Sequence, residues 1–162
     1  MIESLLYYMK YLVVYYSRTG NTERVGDKIA ELVGCEKKKI LERKDRSGVL
    51  GFMKGGWDAL KGKSTEIYSE KEYNDIDHHI IGTPVWANRP CPAVRTYIEM
   101  NKEKMDEVSF FCTMGSSGDK KTFQLMEELC GKKPVATLSL EKKKIKEGEF
   151  ENEVKKFKNK VI

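Results

Sequence analysis

The chain has 162 residues, 34% of them charged, with a formal net charge of +5 and a pI near 8.9. That length is most simply one domain with a sizeable core, and no apolar run approaches the ~20 residues that a membrane-crossing helix needs. Lys and Glu are mixed along the chain, and the locally basic stretches 36–46 and 142–146 lack interleaved aromatics, which argues against a nucleic-acid partner.

Residues 11–16, YLVVYY, are apolar at every position, the pattern of a central parallel strand covered on both faces. An amphipathic helix is expected from Thr22, with Val25, Ile29, Leu32 and Val33 at helical spacing and Gly34 as its stop. Between them, residues 17–22 offer hydroxyls, one glycine and backbone N–H groups at a helix N-terminus, a turn suited to phosphate. Residues 36–41 predict a short lysine-rich strand, whose lysines suit a sheet edge. Residues 47–61 predict a glycine-loosened helix carrying Leu50, Phe52, Met53, Trp57 and Leu60. The Gly-Lys-Ser that follows is not a nucleotide P-loop, because Gly56 lies one residue too early and no strand precedes it.

The third strand is expected at 78–82, stopped by Pro84, with Pro90 and Pro92 framing a helix over 93–101. Residues 108–112 predict the fourth strand, 113–119 the loop after it and 121–130 the next helix. After Gly131 and Pro134, the alternating Val135, Thr137 and Ser139 place a fifth strand at 135–140 on the other edge. A last helix over 149–160 carries Phe150, Val154 and Phe157 on one stripe. Strands alternating with helices imply a parallel α/β sheet with right-handed crossovers.

Two segments then acquire a specific meaning. Ser17-x-Thr19-Gly20-x-Thr22 after an apolar strand resembles the phosphate loop of the flavodoxin family. The run from Ile81 to Pro90, IGTPVWANRP, resembles that family's loop beside the flavin ring. The resemblance extends from about Lys10 to the last helix. It implies a flavodoxin-like doubly wound sheet of five parallel strands in the order 2-1-3-4-5, helices on both faces, in the short form without a long insertion in the fifth strand. The lysine-rich second strand and the alternating fifth strand fall on the edges of that order. Met9-Lys10 stands where similar proteins begin, so residues 1–8 are expected to be an extension of the single domain; no small-residue cleavage site follows them.

The resemblance implies FMN as cofactor. Ser17, Arg18, Thr19, Gly20, Asn21 and Thr22 would hold its phosphate. Thr83, Pro84, Val85, Trp86, Ala87 and Asn88 would border the isoalloxazine, with Trp86 stacked on it. Thr113, Met114, Gly115, Ser116, Gly118 and Asp119 would meet the pyrimidine edge and ribityl chain. The last loop lacks the aromatic that often covers the other flavin face. Either Met114 makes a soft contact, Trp57 or a neighbour reaches in, or that face is more open.

The implied function is an electron carrier cycling between quinone, semiquinone and hydroquinone and exchanging electrons with redox partner proteins. The alternative is an NAD(P)H-dependent quinone or flavin reductase on the same fold. The basic pI departs from well-known flavodoxins, which are acidic. A phosphorylated receiver domain shares the strand order but needs acidic residues where Tyr15-Tyr16 and Gly82-Thr83 stand. Cys35, Cys91, Cys112 and Cys130 have no metal-binding spacing, and sparse free thiols suit a cytoplasmic protein. Cys91, near a helix start, is a candidate for a lowered pKa but reads first as an ordinary thiol, and Cys112 reads as a small buried hydrophobe. His78 and His79 read as structural.

Overall fold

In the computed structural model, which describes residues 8–62 and 64–162, the unbroken apolar run becomes the first strand, β1 (Tyr11–Tyr15). Its side chains divide by parity, as a two-residue period dictates. Leu12, Val14 and Tyr16 enter one core layer, and Val13 and Tyr15 enter the other. Helix α1 (Asn21–Val33) follows and ends on a left-handed Gly34, whose N–H donates to the Ala30 carbonyl. The chain returns as β2 (Glu36–Lys39), parallel to β1.

Residues 40–68 build an excursion around α2 (Gly48–Leu60), bracketed by β3 (Leu41–Glu42) and β4 (Ile67–Tyr68), which pair antiparallel. The sheet resumes with β5 (His78–Trp86), which turns back through β6 (Arg89–Pro90) into α3 (Pro92–Asn101). Strand β7 (Glu107–Met114), helix α4 (Asp119–Cys130) and strand β8 (Thr137–Glu141) complete the alternation. Two helices close the chain, α5 (Lys142–Glu147) and α6 (Glu151–Val161), separated by a left-handed Gly148.

The main sheet runs β2-β1-β5-β7-β8, all parallel, with β6 added antiparallel to β5. This is the expected order 2-1-3-4-5, with the lysine-rich and alternating strands at its edges. One core layer packs α2, α3 and α4 residues such as Ala59, Val94, Tyr97 and Met126; the opposite layer packs Val25, Ile29, Ile145, Val154 and Phe157 from α1, α5 and α6. Among the described residues no helix is long and apolar enough to cross a membrane. Residues 1–7 of the expected N-terminal extension lie outside the described residues.

Several boundaries differ from the sequence reading. Pro84 does not end its strand. Gly82 O accepts from Tyr16 N, so backbone groups at even positions of β5 face β1. By that parity Pro84 faces a side that β1 has already left, and its missing N–H removes no ladder bond. The fourth strand likewise continues through Thr113 and Met114, which pair with Leu140 and Glu141 of β8. The expected last helix is α6, preceded across Gly148 by a short α5 that the sequence reading lacks, and the β3-β4 ribbon is too short to read from periodicity.

Candidate functional site

The strands β1, β5 and β7 are adjacent, and the segments leaving their carboxyl ends are the three expected to form a site. They are brought together by contacts that can be named. Thr22, in the first turn of α1, and Thr113, near the end of β7, share a hydroxyl–hydroxyl hydrogen bond of 2.8 Å, both side chains buried. Tyr16 meets Trp86 edge-on at 5.8 Å between ring centroids. A Cβ on Gly118 would lie 2.6 Å from Asn88 Oδ1 and 2.8 Å from Val85 Cγ1, so the loop after β7 presses directly on the segment after β5.

The turn after β1 is built to keep donors free. Gly20 takes φ +94, a conformation that glycine adopts without strain, and nothing lies within 4 Å of where its Cβ would be. Its N–H donates to Ser17 Oγ at 3.1 Å, which closes the turn. No side chain caps α1, leaving its first-turn N–H groups for an anion. Arg18 lies 5.1 Å from the Phe52 ring centroid and has no carboxylate partner among the described residues. Across from it, Lys142 at the start of α5 is half-buried; burial and then the Arg18 and Lys146 charges hold its pKa below the ordinary lysine value. Two mutually repelling cations beside an uncapped helix start fit a dianionic phosphate.

The segment after β5 is a tight hairpin rather than an open loop. Trp86 pairs with Arg89, and the two turn residues, Ala87 and Asn88, both have positive φ, 50 and 58, as a type I′ turn requires. Both are exposed, whereas Thr83, Pro84 and Trp86 are buried. Thr83 Oγ1 donates to the Pro84 carbonyl and accepts from Cys91 N–H, tying the hairpin to the start of α3. Gly82 is required beneath it, since a Cβ there would collide with the Phe111 ring.

The ring-stacking role expected of Trp86 is not what this arrangement offers. Its indole is 5% exposed, covered by Gly55 of α2, met by Tyr16 and overlain by Arg46 at 5.7 Å. Arg46 is itself buried, donating to Glu42 (2.8 Å) and Asp58 (3.0 Å), and Lys44 also reaches Asp58. That ion cluster fastens α2 over the hairpin, and its spacing across α2 and β3 left no sequence signal. Trp57 points the other way, 55% exposed, with Lys61 Nζ 4.6 Å from its ring centroid.

In the third segment Met114 is buried, while Gly115 and Ser116 are exposed and Asp119 opens α4. Gly118 has φ +104 and α4, like α1, has no side-chain cap. Two sequence expectations about thiols divide. Cys112 is buried, as read. Cys91 is also fully buried, and burial pushes its thiol up to about 12, opposite to the lowering that a helix start suggested. His78 donates or accepts at Glu107 (3.1 Å) and Ser109 (2.9 Å) within the core. Lys142 and Phe52 are the site residues the sequence reading missed; the basic run 142–146 was visible, but its place beside the phosphate-type loop depends on a helix that was not expected.

Known structures share this fold. A flavoprotein from Lactobacillus acidophilus, solved in complex with FMN, superposes with a TM-score of 0.72 at 22% identity over 86% of this chain and 98% of its own. A flavodoxin, WrbA-like protein from Agrobacterium tumefaciens gives 0.58 at 15% identity, covering 94% of this chain and 96% of that one. A variant flavodoxin from Pseudomonas aeruginosa gives 0.55 at 15% identity, covering 94% and 99%. No protein-family model matches the sequence, and no curated protein matches it. By its fold, the chain is flavodoxin-like.

Proposed function

We propose that this chain binds FMN and transfers electrons in single steps between partner proteins of the cytoplasm. The observation that carries the reading is the uncapped, left-handed Gly20 turn at the carboxyl end of β1, flanked by Arg18 and Lys142 and tied through Thr22 to β7. FMN would supply the redox chemistry when bound. In this chain, Ser17, Thr19, Gly20, Asn21 and Thr22 would bind its phosphate through the turn and helix start. Ala87 and Asn88 would present the hairpin tip to the ring, and Gly115, Ser116 and Gly118 would border it from the β7 side. The buried Thr83, Pro84, Trp86 and Thr113 hold the shape of these walls and exclude water from beneath them. The FMN complex of the Lactobacillus acidophilus flavoprotein supports the choice of cofactor, since the two folds agree over most of both chains.

A second reading is favoured by one observation. With Trp86 buried and no aromatic in 113–119, neither proposed wall offers a stacking ring, and a flavin face left open would admit NAD(P)H or a quinone. One pair of measurements tests both. The purified protein reconstituted with FMN should show flavin bands near ~450 nm; failure to take up FMN would refute the proposal. Anaerobic NADPH should leave those bands unchanged for a carrier and bleach them within seconds for a reductase.

A further inference from the structure

Helix α2 has two apolar faces, and only one is used. Its inner face packs Gly55 on the Trp86 indole and buries Asp58 and Ala59. On its outer face Val49, Met53, Trp57 and Leu60 recur at spacings of four and three residues, which makes a continuous ridge. They are 75%, 65%, 55% and 51% exposed, and Leu50 and Phe52 flank them at 83% and 50%. These six account for most of the large apolar side chains that are exposed among the described residues. The largest exposed apolar patch on a protein is often an interaction surface, and this ridge gathers those side chains on one helix.

The position and charge of the ridge identify what fits it. Phe52 carries Arg18 of the phosphate-type turn, and Gly55 rests on the hairpin, so the ridge lies beside the proposed cofactor site. The exposed charges around it are Arg43, Lys44, Lys54 and Lys61, against Asp45 and Glu66; Arg43 pairs with Glu66 and Lys44 with Asp58, so Lys54 and Lys61 are the cations without a carboxylate partner among the described residues. The other carboxylates of this region, Glu42 and Asp58, are 2% and 4% exposed and bonded to Arg46. The surface is therefore an apolar centre flanked by two unpaired lysines. A second copy docked by two-fold symmetry would set those lysines against their own copies. We infer that the outer face of α2 docks an acidic redox protein, one that presents an apolar spot within a ring of carboxylates.

The inference rests on the carrier reading for the partner's redox character, but its contact is testable without flavin chemistry. The isotope-labelled, FMN-treated protein is titrated with an acidic plant-type [2Fe–2S] ferredoxin and followed by backbone NMR, with sedimentation run in parallel. The expected result is a saturable perturbation centred on the amides of α2, with affinity falling at least tenfold as salt rises from about 20 to about 200 mM. The double variant Met53→Ser/Trp57→Ser should weaken binding at least tenfold at every salt concentration. Lys54→Glu/Lys61→Glu should remove the salt dependence and most of the affinity. Folding and any flavin spectrum should be unchanged in both variants. Absence of α2 perturbation, perturbation confined to another face, or a dimer formed through α2 without ferredoxin each overturns the inference. Docking at α2 in a protein that takes up no FMN would refute the carrier reading and leave the docking surface standing.

Discussion

Helices α1 and α4 begin alike and end up with different tasks. Each follows a central strand of the sheet, each starts at a glycine with strongly positive φ (+94 at Gly20, +104 at Gly118), and neither has a side-chain cap. Around Gly20 the space is empty, whereas Gly118 is pressed against Asn88 and Val85 of the neighbouring hairpin. The same backbone state thus serves two purposes. At Gly20 it turns a helix start toward a ligand, and at Gly118 it lets one loop approach another closely enough to form a wall. A glycine's φ alone does not distinguish these; the space around it does.

The comparison can be broken most forcefully at Gly118. Gly118→Val would add both left-handed strain and a collision with the Asn88 and Val85 side chains, at a cost of ~3 kcal/mol or more. Denaturant unfolding should show this loss even without flavin. Gly20→Val meets only the strain, ~1–2 kcal/mol, because no neighbour is in the way. Its FMN affinity, read by fluorescence quenching, should nevertheless fall by at least ~10-fold, since relaxing the strain turns the N–H groups of the helix start away. Equal stability losses at the two glycines would erase the distinction drawn here.

Acid probes the far end of the sheet, where β5 begins. Burial, and then the charges of His78 and Lys38, lower the pKa of His79 to about 4, and burial also lowers that of His78. Between the ordinary histidine value of ~6.5 and about 4 the unfolded chain binds protons that the folded chain refuses, so stability falls as pH drops through that window. The loss should be on the order of 3 kcal/mol and should be diminished in a His79→Gln protein that remains folded.

A smaller effect is expected at Lys142. Lys142→Ala should weaken FMN binding several-fold at low salt and less at high salt, with little change in stability, because the lysine pairs with no carboxylate among the described residues. The smallest effect lies in the hairpin. Ala87 is the one turn residue there without glycine's or asparagine's tolerance of positive φ, and Ala87→Gly should raise stability by up to ~1 kcal/mol in thermal unfolding.

Much of this architecture was legible in the sequence because its signals are local and repeated. The apolar run at 11–16, the lysines of β2 and the alternation in β8 each state how many faces of a strand are buried, and they agree with the strand order that the resemblance to the flavodoxin family implies. The turn at 17–22 was legible because a strand, a glycine and a helix start occur in succession. The fate of Trp86 was not legible. It depends on Gly55, Arg46 and Asp58 arriving from an excursion whose helix shows apolar residues on two sides. From sequence alone Pro84 reads as the end of its strand, and only the early departure of β1 shows why β5 tolerates it. Lys142 was missed for a related reason, since α5 is too short to announce itself by periodicity.

The central claim is that the Gly20 turn, with Arg18 and Lys142, is a phosphate site for a flavin. Parallel titrations of the purified protein with FMN and with riboflavin, which lacks only the phosphate, test it directly. FMN should bind at least ~100-fold more tightly, as charge-assisted contacts to several donors imply, and Lys142→Ala should narrow the gap from the FMN side alone. Equal affinity for the two, or no binding of either, would contradict it.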